Sequence, residues 1–379
     1  MSKAFVVTAI LVLALLPASA SPSNGKQPLL RTGGFVMGIA ADESRVAAAT
    51  TGFGVNKCSL VVAWNPIRKT NTRIKTKVAC ETASAVNRIA EIGMAGKRIA
   101  WLEVEGGNYV DLTLRSQVLG EKKALKIADG YNGSGAAEDD SGSYVGNVFG
   151  DGNLLVFNSW TKCVALPVDV GEEQTCPNPA PEDGTTVLSK QRLLEVVNGK
   201  GVVIASAPDA QGVVAQRKMV LTVVAADAGR IATQAPSGEV TLYSAAGDVL
   251  KEIAIPSGRF SGFALQGSQL ATVRNGNLEL YDVDSGSLVK TIPLAAGSVL
   301  RDLQKGLAVY VGKRKDGWPM IHVLRLSDGK DVVYSPPGKG PVDAQIEASG
   351  LFYSYNYQSG RAPGRVVFVP FARVEKKLG

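Results

Sequence analysis

Residues 229–253 read GRIATQAPSGEVTLYSAAGDVLKEI, and residues 269–292 read QLATVRNGNLELYDVDSGSLVKTI. Both parse in one way. A short apolar run (Arg230 to Thr233; Gln269 to Val273) leads to a turn at Ser237-Gly238-Glu239 or Asn275-Gly276-Asn277. A second run ends in tyrosine at Tyr243 or Tyr281, a second turn holds Gly247 or Gly286, and a third run closes at Ile253 or Ile292. Apolar runs of this length bounded by glycine turns are strands, and turns this short make antiparallel hairpins. A third copy runs from Gly306 through Ile321-His322-Val323-Leu324 to Tyr334. A fourth starts at Gly350 and reaches Val369.

The equivalent apolar positions Ile231, Leu270, Leu307 and Leu351 are 39, 37 and 44 residues apart. That is close to the roughly 40–45-residue period of a four-stranded propeller blade. Upstream, Val46, Ile99 and Leu155 begin similar runs, and Arg98-Ile99-Ala100 repeats Arg230-Ile231-Ala232. The expected fold is all-β, a β-propeller of seven blades of four-stranded antiparallel sheets. Eight blades would result if the long step from Leu155 to Ile231 hides one around Val202 to Ala205. A loop insertion near 160–190 accounts for that step more simply, because Thr175 to Gly184 is rich in Pro and acidic residues. A ring must also close, since an open one leaves two unpaired sheet edges. Gln27 to Arg31 is the segment expected to supply the missing outer strand to the last blade, whose strands are expected to run to about Val374.

This repeated grammar, with an apolar-Ala pair opening each unit and Tyr243 or Tyr281 ending the middle strand, resembles the secreted WD-repeat-like and TolB-like β-propellers of bacteria. The resemblance spans about 340 residues and implies a rigid ring carrying its function on loops. The Trp-Asp and Gly-His pairs of WD repeats are missing, as is an intact Ser-Pro-Asp-Gly turn.

Residues 1–20 read as an export signal: Lys3, an apolar run from Ala4 to Leu16, and Ala18-Ser19-Ala20 as the cleavage site. The run is too short to span a bilayer. The expectation is a protein released outside the cytoplasm, monomeric and without stable membrane insertion, with residues 21–379 forming a single domain. Export gives meaning to four cysteines, with Cys58–Cys80 and Cys163–Cys176 as the simplest disulfide pairing. Their spacing includes no C-x-x-C, which argues against zinc.

The formal net charge is +7. The densest basic group is Arg68, Lys69, Arg73, Lys75 and Lys77. Alternation puts the last three on one face of an edge strand, where lysine discourages edge-to-edge pairing. The functional alternative is attraction to acidic cell-surface polymers. No stacking aromatics are interleaved, so nucleic acid is not expected as a partner.

Catalytic chemistry finds little support. The one histidine, His322, sits in an alternating strand and reads as half-buried and hydrogen-bonded. No G-x-S-x-G elbow is present. Glu138, Asp139 and Asp140 lie in a Gly-Ser-rich loop, and Asp282-x-Asp284-x-Gly286 reads as a hairpin turn, because Pro293 replaces the glutamate a calcium loop needs. No catalytic residue, metal ligand or cofactor is assigned. The candidate contact residues are Trp318, in the polar loop Lys315-Asp316-Gly317-Trp318-Pro319, and Tyr353, Tyr355 and Tyr357, which alternate on one strand face. The expected function is binding or scaffolding of a protein or envelope ligand. The alternative is an extracellular hydrolase or lyase whose carboxylates and tyrosines meet at the ring axis. Carboxylates clustered at the axis would overturn a binding-only reading.

Overall fold

Two-residue hairpins set the strand meander. Asn275 and Gly276 both have positive φ, 51° and 82°, and Lys305 and Gly306 repeat this at 48° and 73°. A turn with two left-handed residues matches the twist of antiparallel strands, which is why Asn-Gly and x-Gly pairs occupy these corners. In the computed structural model the described residues are 27–51, 59–76, 78, 87–106, 110–132, 142–164, 186–207, 210–211, 221–227, 229–313, 319–334, 339–357 and 362–379.

The chain opens with the short strand β1 (Leu29–Arg31). The first blade follows as β2 (Phe35–Asp42), β3 (Arg45–Thr51), β4 (Leu60–Asn65) and β5 (Thr70–Lys75). The second is β6 (Arg88–Ala95), β7 (Arg98–Gly106), β8 (Val110–Val118) and β9 (Leu125–Asn132). The third is β10 (Gly142–Asp151), β11 (Leu154–Val164), β12 (Thr186–Val197) and β13 (Lys200–Ser206), with β14 (Ala210–Gln211) added beside β12. The fourth is β15 (Thr222–Asp227), β16 (Arg230–Gln234), β17 (Val240–Ser244) and β18 (Val249–Ile253). The fifth is β19 (Phe260–Gln266), β20 (Gln269–Arg274), β21 (Asn277–Asp282) and β22 (Leu288–Pro293). The sixth is β23 (Val299–Gln304), β24 (Leu307–Lys313), β25 (Pro319–Arg325) and β26 (Asp331–Tyr334). The last comprises β27 (Lys339–Glu347), β28 (Gly350–Tyr357) and β29 (Arg365–Pro370).

Hydrogen bonding joins these as five four-stranded sheets and one nine-stranded sheet. The larger sheet is two four-stranded meanders linked where Asn132 pairs with Gly142 and Tyr131 with Ser143, with β14 alongside. The described strands therefore fall into seven antiparallel units. The innermost strands β2, β6, β10, β15, β19, β23 and β27 touch in succession, and β27 touches β2. The chain is a β-propeller.

Closure falls where the unpaired-edge argument places it. β1 pairs antiparallel with β29, Leu30 opposite Val366, so the N-terminal strand completes the C-terminal blade. Val202 to Ala205 lie in β13, the outer strand of the third blade, and make no separate unit.

Each blade is buried on both faces against its neighbours, and seven apolar clusters fill the seven gaps. The seven repeat-marking residues Val46, Ile99, Leu155, Ile231, Leu270, Leu307 and Leu351 all lie in second strands and are all buried. Outer strands read differently: β5 buries only Ile74 and exposes Arg73 and Lys75.

The C-terminus departs from expectation. Strand geometry stops at Pro370, and Phe371–Leu378 form a helix, α1. Val374 and Leu378, four apart on one helical face, are buried between the last two blades. Lys376 and Lys377 occupy the last turn, where cations suit the helix dipole. A strand reading to Val374 misses this because Val366 to Phe371 is equally apolar, and a single buried i,i+4 pair is a weak helical signal.

Candidate functional site

An inner blade strand has a hydrogen-bonding neighbour on one side only. Every second N–H on its other edge needs a partner from elsewhere. In this ring side chains of the preceding blade supply it. On β27, Asp343, Gln345 and Glu347 share one face by strand alternation. They accept from the N–H groups of Ile39 (3.4 Å), Ala41 and Glu43 (3.2 Å) on and just past β2. Three side chains spaced by two thus meet three N–H groups spaced by two, a side-chain ladder between blades. Asn356 adds a two-way contact with Val36, accepting its N–H at 2.9 Å and donating to its carbonyl at 2.8 Å.

The same device recurs around the ring. Asp42 accepts from Gly96 N–H, Glu91 from Val148 N–H at 2.8 Å, Asp227 from Gly267 N–H at 2.5 Å and Asp302 from Ile346 N–H at 2.7 Å. Between the third and fourth blades Asn158 takes the role, accepting from Val223 N–H and donating to Leu221 O, each at 2.8 Å.

All inner strands run in one direction, so their last residues meet at one mouth of the channel. These are Asp42, Ala95, Asp151, Asp227, Gln266, Gln304 and Glu347, and five of them line one axial cavity together with Asp302 and Arg301. Ligand oxygens of Asp42, Asp151 and Glu347 lie within 4.8 Å of one another. A second cavity continues along the inner strands past Ile92, Phe149, Phe263 and Leu300, with Arg301, Asp343 and Gln345 also on its wall.

Burial and crowding of like charge keep Asp42, Asp227, Asp302 and Glu347 protonated beyond their usual range. Glu347 is pushed up to about 9, by burial first and then by Asp302, Asp151 and Asp42. Burial raises Asp302 to about 7 against the pull of its two N–H donors. Asp42 rises to about 6 by burial, with Asp151 and Glu43 adding to it. Asp227 is raised by burial and by its contact with Asp151. Arg45 and Arg230 partly offset the shifts of Asp42 and Asp227, and Arg301, 3.8 Å from Asp343, lines the same cavity.

This arrangement can do two things chemically. It can receive a cation, since oxygens bound to one calcium-sized ion lie at most about 5 Å apart. The set Asp42, Asp151 and Glu347 fits that span, as it would a guanidinium or ammonium group. It can also set a protonated carboxylic acid beside an ionised one, the pairing general acid–base chemistry uses. Clustered axial carboxylates are the feature that counts against a reading with no dedicated chemistry, and they are present.

The aromatic candidates lie elsewhere. Tyr353 and Tyr355 on β28 are buried between the last two blades, Tyr353 with its ring 6.2 Å from Tyr334 and Tyr355 5.8 Å from Tyr357. Burial pushes both phenols up to about 12. Tyr357 is half-buried, with the Arg365 guanidinium 5.3 Å from its ring centre. These tyrosines stand one strand out from the axis and do not join the carboxylates. Trp318, Cys58, Cys80, Cys176 and the acidic triplet Glu138, Asp139 and Asp140 lie outside the described residues. Of Cys163 only the backbone is described, in β11 opposite Val187. His322 is half-buried on β25, its Nδ1 2.8 Å from Asp331 Oδ2 and its ring stacked 4.6 Å from Tyr310. Asp282 caps its hairpin by accepting from Ser285 N–H at 2.8 Å, as a turn residue does.

Reading for neighbouring acids along the chain misses the axial set, whose signal is periodic. Asp42, Asp151, Asp227, Gln266 and Glu347 each precede a repeat-marking residue by four positions, and Gln304 precedes Leu307 by three.

No protein-family model and no curated protein sequence matches the chain. Solved structures do. The chain is similar to a chain in the crystal structure of a mitotic checkpoint complex, with a TM-score of 0.50 and 12% identity over 96% of this chain and 98% of that one. It is similar to the Pyrococcus horikoshii acylaminoacyl peptidase, with a TM-score of 0.53 and 12% identity over 92% of this chain and 55% of the peptidase. The Neurospora crassa Pan2 WD40 domain aligns at a TM-score of 0.48 and 10% identity, over 91% and 97% of the two chains. At these identities the likeness is one of fold.

Proposed function

We propose that this chain is a recognition propeller that docks a protein or envelope ligand on the face where its axial carboxylates open, taking a cationic group of that ligand into the mouth. The observation that carries this is the convergence of acidic side chains from separate blades on one cavity. Blade loops around a rigid ring give a wide contact surface, and a charged pocket at its centre gives register and specificity. The export signal ending at Ala20, a single domain over residues 21–379, disulfides from the four cysteines and a monomeric state belong to the same proposal. No helix among the described residues is long and apolar enough to cross a membrane.

The test is capture from secreted and envelope fractions by the mature chain and by an Asp151→Asn/Glu347→Gln variant. Capture by the parent that the variant loses, with thermal melting retained, supports the reading. Equal capture by both refutes it. The second reading is an extracellular hydrolase or lyase, favoured by Glu347, held protonated to about pH 9 beside Asp42 and Asp151. It requires turnover of peptide or glycan substrates that Glu347→Gln abolishes.

A further inference from the structure

At its outer corner the second blade carries a polar groove. β7 follows β6, whose last residue Ala95 is at the axial mouth, so β7 starts beside the mouth and ends on the opposite side of the ring. Pairing across β7, β8 and β9 puts Glu105, Asp111 and Tyr131 in one row on a shared sheet face. Thr113 and Asp129 pair in the next row, and Arg115 and Lys126 pair beyond it. At the Arg115 end this face is covered, because Trp101, opposite Arg115, packs with Ala63 and Ile74 of the first blade. The rest is a groove of about 460 Å³, within the roughly 300–1,000 Å³ of small-ligand sites. Its cations are held in place. Glu103, 1% exposed, accepts from Trp101 Nε1 at 2.9 Å and from Arg115 Nε at 2.6 Å, and Lys126 lies 3.1 Å from Asp129. Tyr131, at the open end, is 47% exposed.

The walls narrow the class of ligand. Ionised carboxylates at Glu105, Asp111 and Asp129 only accept hydrogen bonds, whereas Arg115 and Lys126 only donate them. Both kinds line one groove, so an anion is opposed by the carboxylates and a cation by Arg115 and Lys126. A hydroxyl donates and accepts at once, and a neutral polyol satisfies both kinds with no charge to be repelled. Among the described residues of the lining Tyr131 is the one aromatic. An exposed phenol ring takes the apolar C–H face of a sugar ring while the sugar's hydroxyls turn to the polar walls. A wholly apolar ligand finds no second apolar wall, because Leu112 packs into the gap on the other side of the blade.

We propose that this groove binds a neutral oligosaccharide, with one sugar ring against Tyr131 and its hydroxyls on the flanking carboxylates, Arg115 and Lys126. The site lies on the opposite side of the ring from the axial mouth and does not rest on the reading of that mouth.

The experiment titrates the mature chain by calorimetry with three neutral probes, cellotetraose, maltotetraose and tetra-N-acetylchitotetraose, at least one of which should bind. Tyr131→Ala should weaken that binding by about fivefold or more through lost stacking, and Asp111→Asn by about tenfold or more through a lost charge-assisted contact. Both residues are exposed, so both variants should melt with the parent. Tyr131→Phe keeps the ring and should stay within about twofold of the parent, as should Asp151→Asn/Glu347→Gln at the mouth. Affinity should also hold within about twofold as sodium chloride rises from about 50 to about 500 mM, since no ion pair with the ligand is there to be screened. Failure of all three probes to bind, or binding indifferent to both Tyr131→Ala and Asp111→Asn, would overturn the site. Loss of binding in the axial variant alone would move it to the mouth and overturn it too. Glycylglycine, a zwitterion, binding more tightly than the sugars with the same sensitivity to Tyr131 and Asp111 would overturn the assignment to a neutral saccharide.

Discussion

Replacing Asp42 with Asn should make the ring more stable at neutral pH and leave it unchanged in acid. Asp42 is 2% exposed and its carboxyl titrates near 6, against an ordinary value of 3.8. A group raised by folding binds its proton more tightly in the native state. Its contribution is therefore complete below pH 3.8 and is lost as pH rises through about 6. About two pH units at 1.36 kcal/mol each put the cost of ionising Asp42 at up to about 3 kcal/mol by pH 8. Asparagine keeps an oxygen for Gly96 N–H and adds an amide that can donate to Asp151 or Glu347, so it mimics the protonated acid. The assay is urea denaturation at pH 4, 6 and 8 with chelator present, so that no added cation compensates the charge. With an m-value of about 3–5 kcal/mol/M for a chain of this size, the variant's midpoint should exceed the parent's by about 0.5–1 M at pH 8 and coincide with it at pH 4. A variant equally destabilised at both pH values, or a parent that gains stability between pH 4 and 8, would refute the argument.

The remaining expectations concern the ring and its buried pairs. Leu30→Ala, in the strand that closes the last blade, should cost about 2–4 kcal/mol and expose the β29 edge to protease, read by limited proteolysis. Asn158→Ala strands Leu221 O and Val223 N–H across a blade boundary and should cost about 2–4 kcal/mol in a melting experiment, with Asn158→Asp recovering part of it by restoring the acceptor. Glu279 holds Arg274 through contacts of 2.9 and 2.6 Å and accepts from the Tyr281 hydroxyl at 2.8 Å, so Glu279→Gln should cost about 3 kcal/mol. In that variant the Tyr281 phenol, pushed up to about 12 by burial and then by Glu279, should titrate lower in an ultraviolet pH titration.

The blades were legible in the sequence because each is built from local hairpins. Apolar runs, x-Gly corners and the spacing of Val46 through Leu351 all lie within one repeat and carry their meaning there. Closure by Leu29 to Arg31 was legible for another reason: an antiparallel ring has one place where an edge must be filled. The axial carboxylates were not legible as a cluster. Asp42, Asp151 and Glu347 lie far apart along the chain, and only the rotation of successive blades about a common axis brings their oxygens within 4.8 Å. The tyrosine row shows the limit from the other side. Alternation places Tyr353, Tyr355 and Tyr357 on one face, yet whether that face meets water or the neighbouring blade depends on how the sheets stack.

The identity of the stitching residues links stability to recognition. An edge N–H needs an acceptor, and an amide such as Gln345 meets that need without charge, although its own N–H groups then need partners in turn. A carboxylate brings acceptors alone. It therefore closes the seam with no further donor to satisfy, but it adds a charge where burial and its neighbours oppose one. Gathered at the mouth, Asp42, Asp227, Asp302 and Glu347 relieve that opposition by keeping protons or by receiving a cation. The residues that hold the blades together thus also make the mouth cation-seeking, and the two roles respond differently to substitution. Alanine at Asp42 removes seam and charge together, whereas asparagine keeps the seam and removes the charge. A ligand that binds by charge should be lost with either variant, while loss of binding with alanine alone would assign these side chains to the seam and leave the mouth without a recognition role.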